Sequence, residues 1–270
     1  IIGNICCNDD TVIKELGERQ VNYGSLIVYT SADSDLQVAA HEDCIPIATL
    51  HEYCDRIRNL SLKEDWRIAR IIARPFNGTP GKYKFVNSGR KDYAVKPPKK
   101  SILDSLIENN YNVIGIGKIN DIFNGVGITK TIKTTSNENG MDITIEEAKN
   151  DFTGLCFVNL VDFDALYGHR RDALGYAECL ERFDKKLNLL LEGLKDDDLL
   201  ILSADHGNDP NHIGTDHTRE NVPLLVYSKS IKNPINLGIS ETFADIGCTI
   251  ADNFNVEQPL IGKSFKNKLQ

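Results

Sequence analysis

The 270-residue sequence has no initiator methionine, a single methionine at Met141 and a single tryptophan. It opens on the apolar Ile1-Ile2-Gly3-Asn4, which reads as the interior of a longer protein. No apolar run approaches the roughly 18 residues that a spanning helix needs, and no basic stretch runs into an apolar one as in a secretory leader. These absences predict a cytoplasmic chain with no membrane partner. Positive charge is also scarce: 31 Lys and Arg stand against 39 Asp and Glu, a net charge of −8. That balance excludes a sequence-independent grip on the phosphate backbone of nucleic acid, although a cleft or a metal could still focus positive charge on a small anion. A disulfide framework is missing too. The seven cysteines, at 6, 7, 44, 54, 156, 179 and 248, are odd in number and irregular in spacing, and the adjacent Cys6-Cys7 pair is too short for a zinc knuckle. What is present is ordinary: 41% hydrophobic and 26% charged residues, in a chain long enough for one large domain or two modest ones.

The pattern along the chain changes near residue 97. Before it, 25–30 (SLIVYT) and 68–73 (IARIIA) read as strands, and 48–60 has the apolar spacing of a helix. A loop rich in Gly, Pro, Lys and Asn follows at 77–92, and then Lys96-Pro97-Pro98-Lys99-Lys100 discourages both helix and ladder. The predicted domains are therefore 1–96 and 97–270. The second has a helix at 101–109, strands at 112–117 and 155–161, and a helix at 175–194. Strands at 199–204 and 222–227 and a helix at 241–254 complete it. Nearly continuous apolar strands alternating with amphipathic helices predict a doubly wound, mostly parallel α/β sheet. The stretch 129–145, rich in Thr, Asn and Lys, reads as a hairpin or long loop, and the residues before 25 read as poor in strands.

In such sheets ligands bind beyond the carboxyl ends of the strands. There, strand 155–161 runs into Asp162-Phe163-Asp164 and His169, and strand 199–204 runs into Asp205-His206-Gly207-Asn208-Asp209. His212 and Asp216-His217 follow in the next loop. Four of the six histidines fall between 169 and 217, where chance would put about one. A single aspartate at a strand end is usually a turn former or helix cap, and a single loop histidine is usually solvated. The ensemble Asp164, His169, Asp205, His206 and His217 reads differently, because all five come from loops predicted to share one sheet edge. Mixed carboxylate and imidazole ligands suit Mn, Zn or Fe, and five of them exceed the need of one tetrahedral ion. A two-metal site for phosphoryl transfer is the chemistry this pattern favours.

Three stretches carry a resemblance: LIVYTSADSDLQVAAHE (26–42), VNLVDFDALYGHRRD (158–172) and LLILSADHGNDPNHIGTDHTRENVPLLVYS (199–228). Together they resemble the phosphopentomutases of the alkaline phosphatase superfamily, over essentially the whole chain. The resemblance implies an alkaline phosphatase-like core with a smaller α/β cap, the cap being 1–96 and the returning core 97–270. It implies two manganese ions, one held by Asp164, His169 and His217 and the other by Asp205 and His206. It gives Asp33 to the ribose hydroxyls, and Arg70 and Lys118 to the distal phosphate. On the residues alone, Arg70 reads as a surface cation and the Gly115-Ile116-Gly117-Lys118 strand end is only a weak anion signal. The family's further metal-binding aspartate and its phosphoryl-carrying threonine find no counterpart here, so no catalytic nucleophile is assigned and the sequence is expected to open inside the cap. The implied activity interconverts (deoxy)ribose 1-phosphate and 5-phosphate in nucleoside salvage, as a monomer or weak oligomer acting on a small sugar phosphate. A phosphatase or phosphoglycerate mutase of the same superfamily, and an inactive metal-binding fragment, are the alternatives.

Overall fold

A computed structural model describes residues 1–7, 9–30, 35–63 and 68–269. The chain divides into two units, Ile1–Val95 and Lys96–Gln270.

The first unit runs β1 (Ile2–Cys6), α1 (Asp9–Tyr23), β2 (Ile27–Thr30), β3 (Leu36–His41), α2 (Ile47–Ser61), β4 (Arg70–Asn77), β5 (Lys84–Phe85) and β6 (Lys91–Ala94). They form one six-stranded mixed sheet in the order β1-β2-β3-β4-β5, with β6 on β4. β3 and β4 are its centre, parallel to each other and buried along most of their length; β4 reads as apolar at 68–73, whereas β3 is a strand that the sequence reading did not predict. Side chains alternate between two clusters. Val38, Ala40, Ile71 and Ala73 pack with Leu50 and Cys54 of α2, whereas Ala39 and Phe76 pack with Val12 and Ile13 of α1. Cys54 is fully buried, and desolvation pushes its thiol up to about 12. Cys6, Cys44, Cys54, Cys156, Cys179 and Cys248 are free thiols.

The region before residue 25, expected to be poor in strands, holds β1 and the 15-residue α1. β1 escapes a pattern reading because Gly3 and Asn4 interrupt its apolar residues. Gly3 takes φ +91°, and a Cβ there would meet the Val28 carbonyl at 2.6 Å. The strand is made by its parallel pairing to β2.

The second unit runs α3 (Ile102–Glu108), β7 (Asn112–Ile116), α4 (Ile119–Ile122), β8 (Lys130–Ile132), α5 (Asn137–Ala148) and β9 (Gly154–Val158). It continues through a π-helical turn (Phe163–Gly168), α6 (Ala173–Gly193), β10 (Leu200–Ser203), β11 (Leu224–Tyr227) and α7 (Ala244–Phe254). β8, β7 and β9 form a parallel sheet in that order. β10 and β11 pair antiparallel with each other in a sheet of their own. α3 and α7 pack with β7 around Leu103, Leu106 and Val113, while Met141 of α5 packs with Leu190 and Leu194 of α6 and the residue that follows it. Among the described residues no helix is long and apolar enough to cross a membrane.

The stretch expected to be a hairpin or long loop at 129–145 is instead β8 followed by most of α5. Its polar residues are what hide it. Ser136 caps α5 by accepting from the Asn139 amide at 3.1 Å, and the Asn139 side chain accepts in turn from the Thr135 amide at 3.1 Å. Capping thus supplies what the weak apolar periodicity does not.

Candidate metal centre

Beyond β9 the chain turns at Asp162. Its carboxylate accepts from the backbone N–H of Asn137 at 2.6 Å, and its own N–H donates to Asn137 Oδ1 at 2.9 Å. This reciprocal pair fixes the start of the π-helical turn to the N-terminus of α5, so Asp162 is a helix anchor. The His169 N–H then donates to the Asp164 carbonyl at 3.0 Å, an i to i−5 bond. In an α-helix residues five apart point about 140° away from each other. The wider π turn narrows that angle, and the Asp164 carboxylate comes within 3.4 Å of His169 Nε2.

The third member arrives from the loop after β10. His217 Nε2 lies 3.1 Å from His169 Nε2 and 3.4 Å from Asp164 Oδ1. One ligand atom from each of Asp164, His169 and His217 lies within 4.8 Å of the other two. His206 stacks on His217 with ring centroids 3.6 Å apart, and its Nε2 is 3.4 Å from Asp205 Oδ2. Of the five side chains named from the sequence, Asp164, His169 and His217 thus form a cluster and His206 stacks on it, while Asp205 is placed only against its neighbour His206. The five do not follow strands of one sheet: the π-helical turn after β9 supplies Asp164 and His169, while the loop after β10, in the separate antiparallel pair, supplies the others. His212 turns to the Ile213 carbonyl at 2.8 Å, and Asp209 accepts from the Asn211 amide at 2.8 Å, as a turn former does.

The donor chemistry fits a cation. His169 Nδ1 contacts the Thr215 carbonyl, which can only accept, so Nδ1 is a donor and, in the neutral ring that binds a cation, Nε2 carries the lone pair. That lone pair faces another imidazole nitrogen and a carboxylate oxygen, an arrangement of acceptors that a positive charge relieves. The 3.1 Å between the two Nε2 atoms, and 3.4 Å from each to a different oxygen of Asp164, are of the size of a coordination polyhedron's edges with bonds of about 2.1 Å. Asp164 is felt beyond the cluster. Burial first, then the neighbouring Cys179 and Asp164, hold the Tyr176 phenol above its ordinary range.

Asn208 was not legible as a site residue. It is buried, its Nδ2 donates to Asp164 Oδ1 at 2.6 Å, and a Cβ on Gly168 would meet its Cγ at 2.6 Å. The glycine before His169 is therefore required by the asparagine that steadies the carboxylate.

Residues 59–258, about three quarters of the chain, match the family model of the Metalloenzyme superfamily. The chain belongs to the Metalloenzyme superfamily. Superfamily members are metal-dependent phosphatases and mutases with an alkaline phosphatase-like α/β fold, and the mixed α/β units of this chain are consistent with it. Among solved structures, the PH0037 protein from Pyrococcus horikoshii is similar at 16% identity with a TM-score of 0.44. The match covers 69% of this chain and 46% of that one, so the chain spans about half the length of that structure.

Lys118 is exposed, directly after β7, where Gly117 takes φ +80° against the Asn159 carbonyl. It thus stands at the carboxyl end of the strand that pairs with β9. Arg70 belongs to the first unit and is bound to Asp35 through Nε (2.9 Å) and Nη2 (2.5 Å). Asp33 lies outside the described residues.

Proposed function

We propose that this chain is the metal-binding part of a phosphopentomutase, which interconverts (deoxy)ribose 1-phosphate and 5-phosphate. The observation that carries the reading is the convergence of Asp164, His169 and His217, two of them from the stretch 158–172 and one from 199–228, the segments that resemble that family. The ions proposed are Mn2+, two in a complete site: the first is held by this triad, and the second, left with Asp205 and His206 and without the family's further aspartate, is expected to bind weakly. When bound, such a pair supplies neutralising charge to the phosphoryl oxygens of a loose transition state.

The chain's own residues have distinct tasks in this reading. His169 keeps its proton on Nδ1, against the Thr215 carbonyl, so Nε2 stays available as a ligand. Lys118, with Arg70, holds the distal phosphate. Residues 1–96 act as the cap, where Asp33 binds the ribose hydroxyls and Arg70 the distal phosphate. Asp35 Oδ2 accepts from both Nε and Nη2 of Arg70, which fixes the orientation of the guanidinium. Local cations matter because the chain as a whole carries −8 and repels anions.

The test follows ribose 1-phosphate by phosphorus NMR with Mn2+ present, in a polypeptide that joins this chain to a segment bearing the family's phosphoryl-carrying threonine and further aspartate; the 270 residues alone, with no assigned nucleophile, are expected to show negligible turnover. Appearance of ribose 5-phosphate, lost in Asp164→Ala, supports the proposal. Release of inorganic phosphate would instead identify a phosphatase, turnover of phosphoglycerate a phosphoglycerate mutase, and either preference would displace the pentose reading.

A further inference from the structure

We infer that Arg171 is a positioning residue of the metal centre, acting on Asp164 through Asn208 and on His217 through the loop that carries it; the inference rests on the metal reading above. Arg171 touches none of the proposed ligand atoms. Its guanidinium instead gathers acceptors from both segments that supply them. Nη1 donates to the Gly168 carbonyl (2.9 Å), to Asn208 Oδ1 (2.7 Å) and to the Asp209 carbonyl (2.8 Å). Nη2 donates to the Asp216 carbonyl at 2.6 Å, and Nε donates to the Gly214 carbonyl. Between those two carbonyls lies that of Thr215, taken by His169 Nδ1. Three consecutive carbonyls, 214 to 216, are thus held from the 169–171 segment, and the next residue is His217.

The second action is a matter of donor and acceptor logic. A guanidinium has only donors, so the group of Asn208 that faces Arg171 must be its oxygen. The amide nitrogen is then obliged to point the other way, and there it donates to Asp164 Oδ1 at 2.6 Å. Arg171 therefore dictates which end of Asn208 meets the ligand carboxylate, and a neutral donor there orients Asp164 without cancelling its charge. Packing enforces the same geometry, since Gly168 leaves only enough space for the Asn208 side chain. Arg171 itself is held at φ +55°, a conformation few side chains adopt, immediately before α6. Outer partners of this kind typically change metal affinity about 10–100-fold.

The experiment titrates Mn2+ into the 270-residue chain and its variants by calorimetry. Co2+ absorption reports ligand geometry, and metal-free melting reports fold. Arg171→Met is expected to weaken Mn2+ binding about 10–100-fold and to alter the Co2+ bands. Arg171→Lys keeps the charge but not the fork and is expected to recover little of the loss. Should Arg171→Met fail to fold, Asn208→Leu, which removes only the bridge to Asp164, is expected to show the same loss. Affinity and Co2+ bands within twofold of the unaltered chain in a folded variant would overturn the inference, as would full recovery by lysine. A merely structural arginine would lower the metal-free melting temperature and leave the affinity of the folded protein unmoved. If the unaltered chain binds no Mn2+, or Asp164→Ala binds as well as it does, the metal reading fails first and this inference with it. Loss in Asp164→Ala with retention in the Arg171 variants overturns the positioning role alone.

Discussion

At the scale of single residues, chemistry was easier to read than placement. Asp164, His169 and His217 declare themselves by type and crowding, because carboxylates and imidazoles at strand ends have few other collective uses. Asn208 and Arg171 do not, because their roles are set by partners 44 and 37 residues away in sequence, and no local pattern encodes such bonds. Gly168 is intermediate: it stands visibly beside His169, but only the structure shows what fills its empty side. A methyl group there would come 2.6 Å from Asn208 Cγ and 2.6 Å from Nδ2, well inside contact distance. Gly168→Ala should therefore cost about 1–3 kcal/mol in denaturant unfolding and weaken Mn2+ binding, because the displaced side chain is the donor to Asp164. Gly214→Ala is the control. Nothing lies within 4 Å of a Cβ at that position, so only its φ of +79° is strained, and the expected loss is about 1 kcal/mol. Equal behaviour of the two variants would show that crowding against Asn208 is not what selects glycine at 168.

At the scale of elements, the apolar strands β2, β4, β7, β9, β10 and β11 were legible, whereas the short buried strand β3 and the polar α5 were not. α5 has the sequence of a loop by composition, with Asn137, Asn139, Gly140 and two threonines within or just before it. Its existence depends on its N-terminus, where Ser136 caps one amide and Asp162 accepts the amide of Asn137. A carboxylate at a helix start also meets the positive end of the helix dipole. The link matters twice, because Asp162 opens the π-helical turn that carries Asp164. Asp162→Ala should destabilise the chain by about 1–3 kcal/mol, the range for a charge-assisted hydrogen bond lost with its partner left buried. Asp162→Asn, which keeps an acceptor, should lose less. Hydrogen exchange provides the check: amides at the start of α5 should exchange faster in Asp162→Ala, and unchanged protection there would mean the helix is held by its packing on α6 alone. The pairing of β10 with β11 was likewise hidden, since apolar runs predict that strands exist without specifying their neighbours or direction.

At the scale of the whole molecule, the proposed ligands are divided between two chain segments that no sheet ladder joins. Asp164 and His169 follow a strand of the parallel sheet, and His206 and His217 follow a strand of the antiparallel pair. Without a cation, the described ties across the site include Arg171, Asn208 and the His169–Thr215 contact, all of them side-chain bonds at a partly exposed surface. A cation held by both segments would close the loop of chain between them and stabilise only the state in which they meet. Mass action puts that gain at about 2.7 kcal/mol when free Mn2+ is 100 times its dissociation constant. The gain belongs to the second unit, because every proposed ligand lies beyond residue 160 and the first unit has its own core on both faces of its sheet. Mn2+ should therefore slow amide exchange across 162–172 and 205–218 while leaving β3 and β4 unchanged, and a chelator should reverse the effect. Uniform slowing in both units, or none near Asp164 and His217, would mean that the cluster is not where the ion binds.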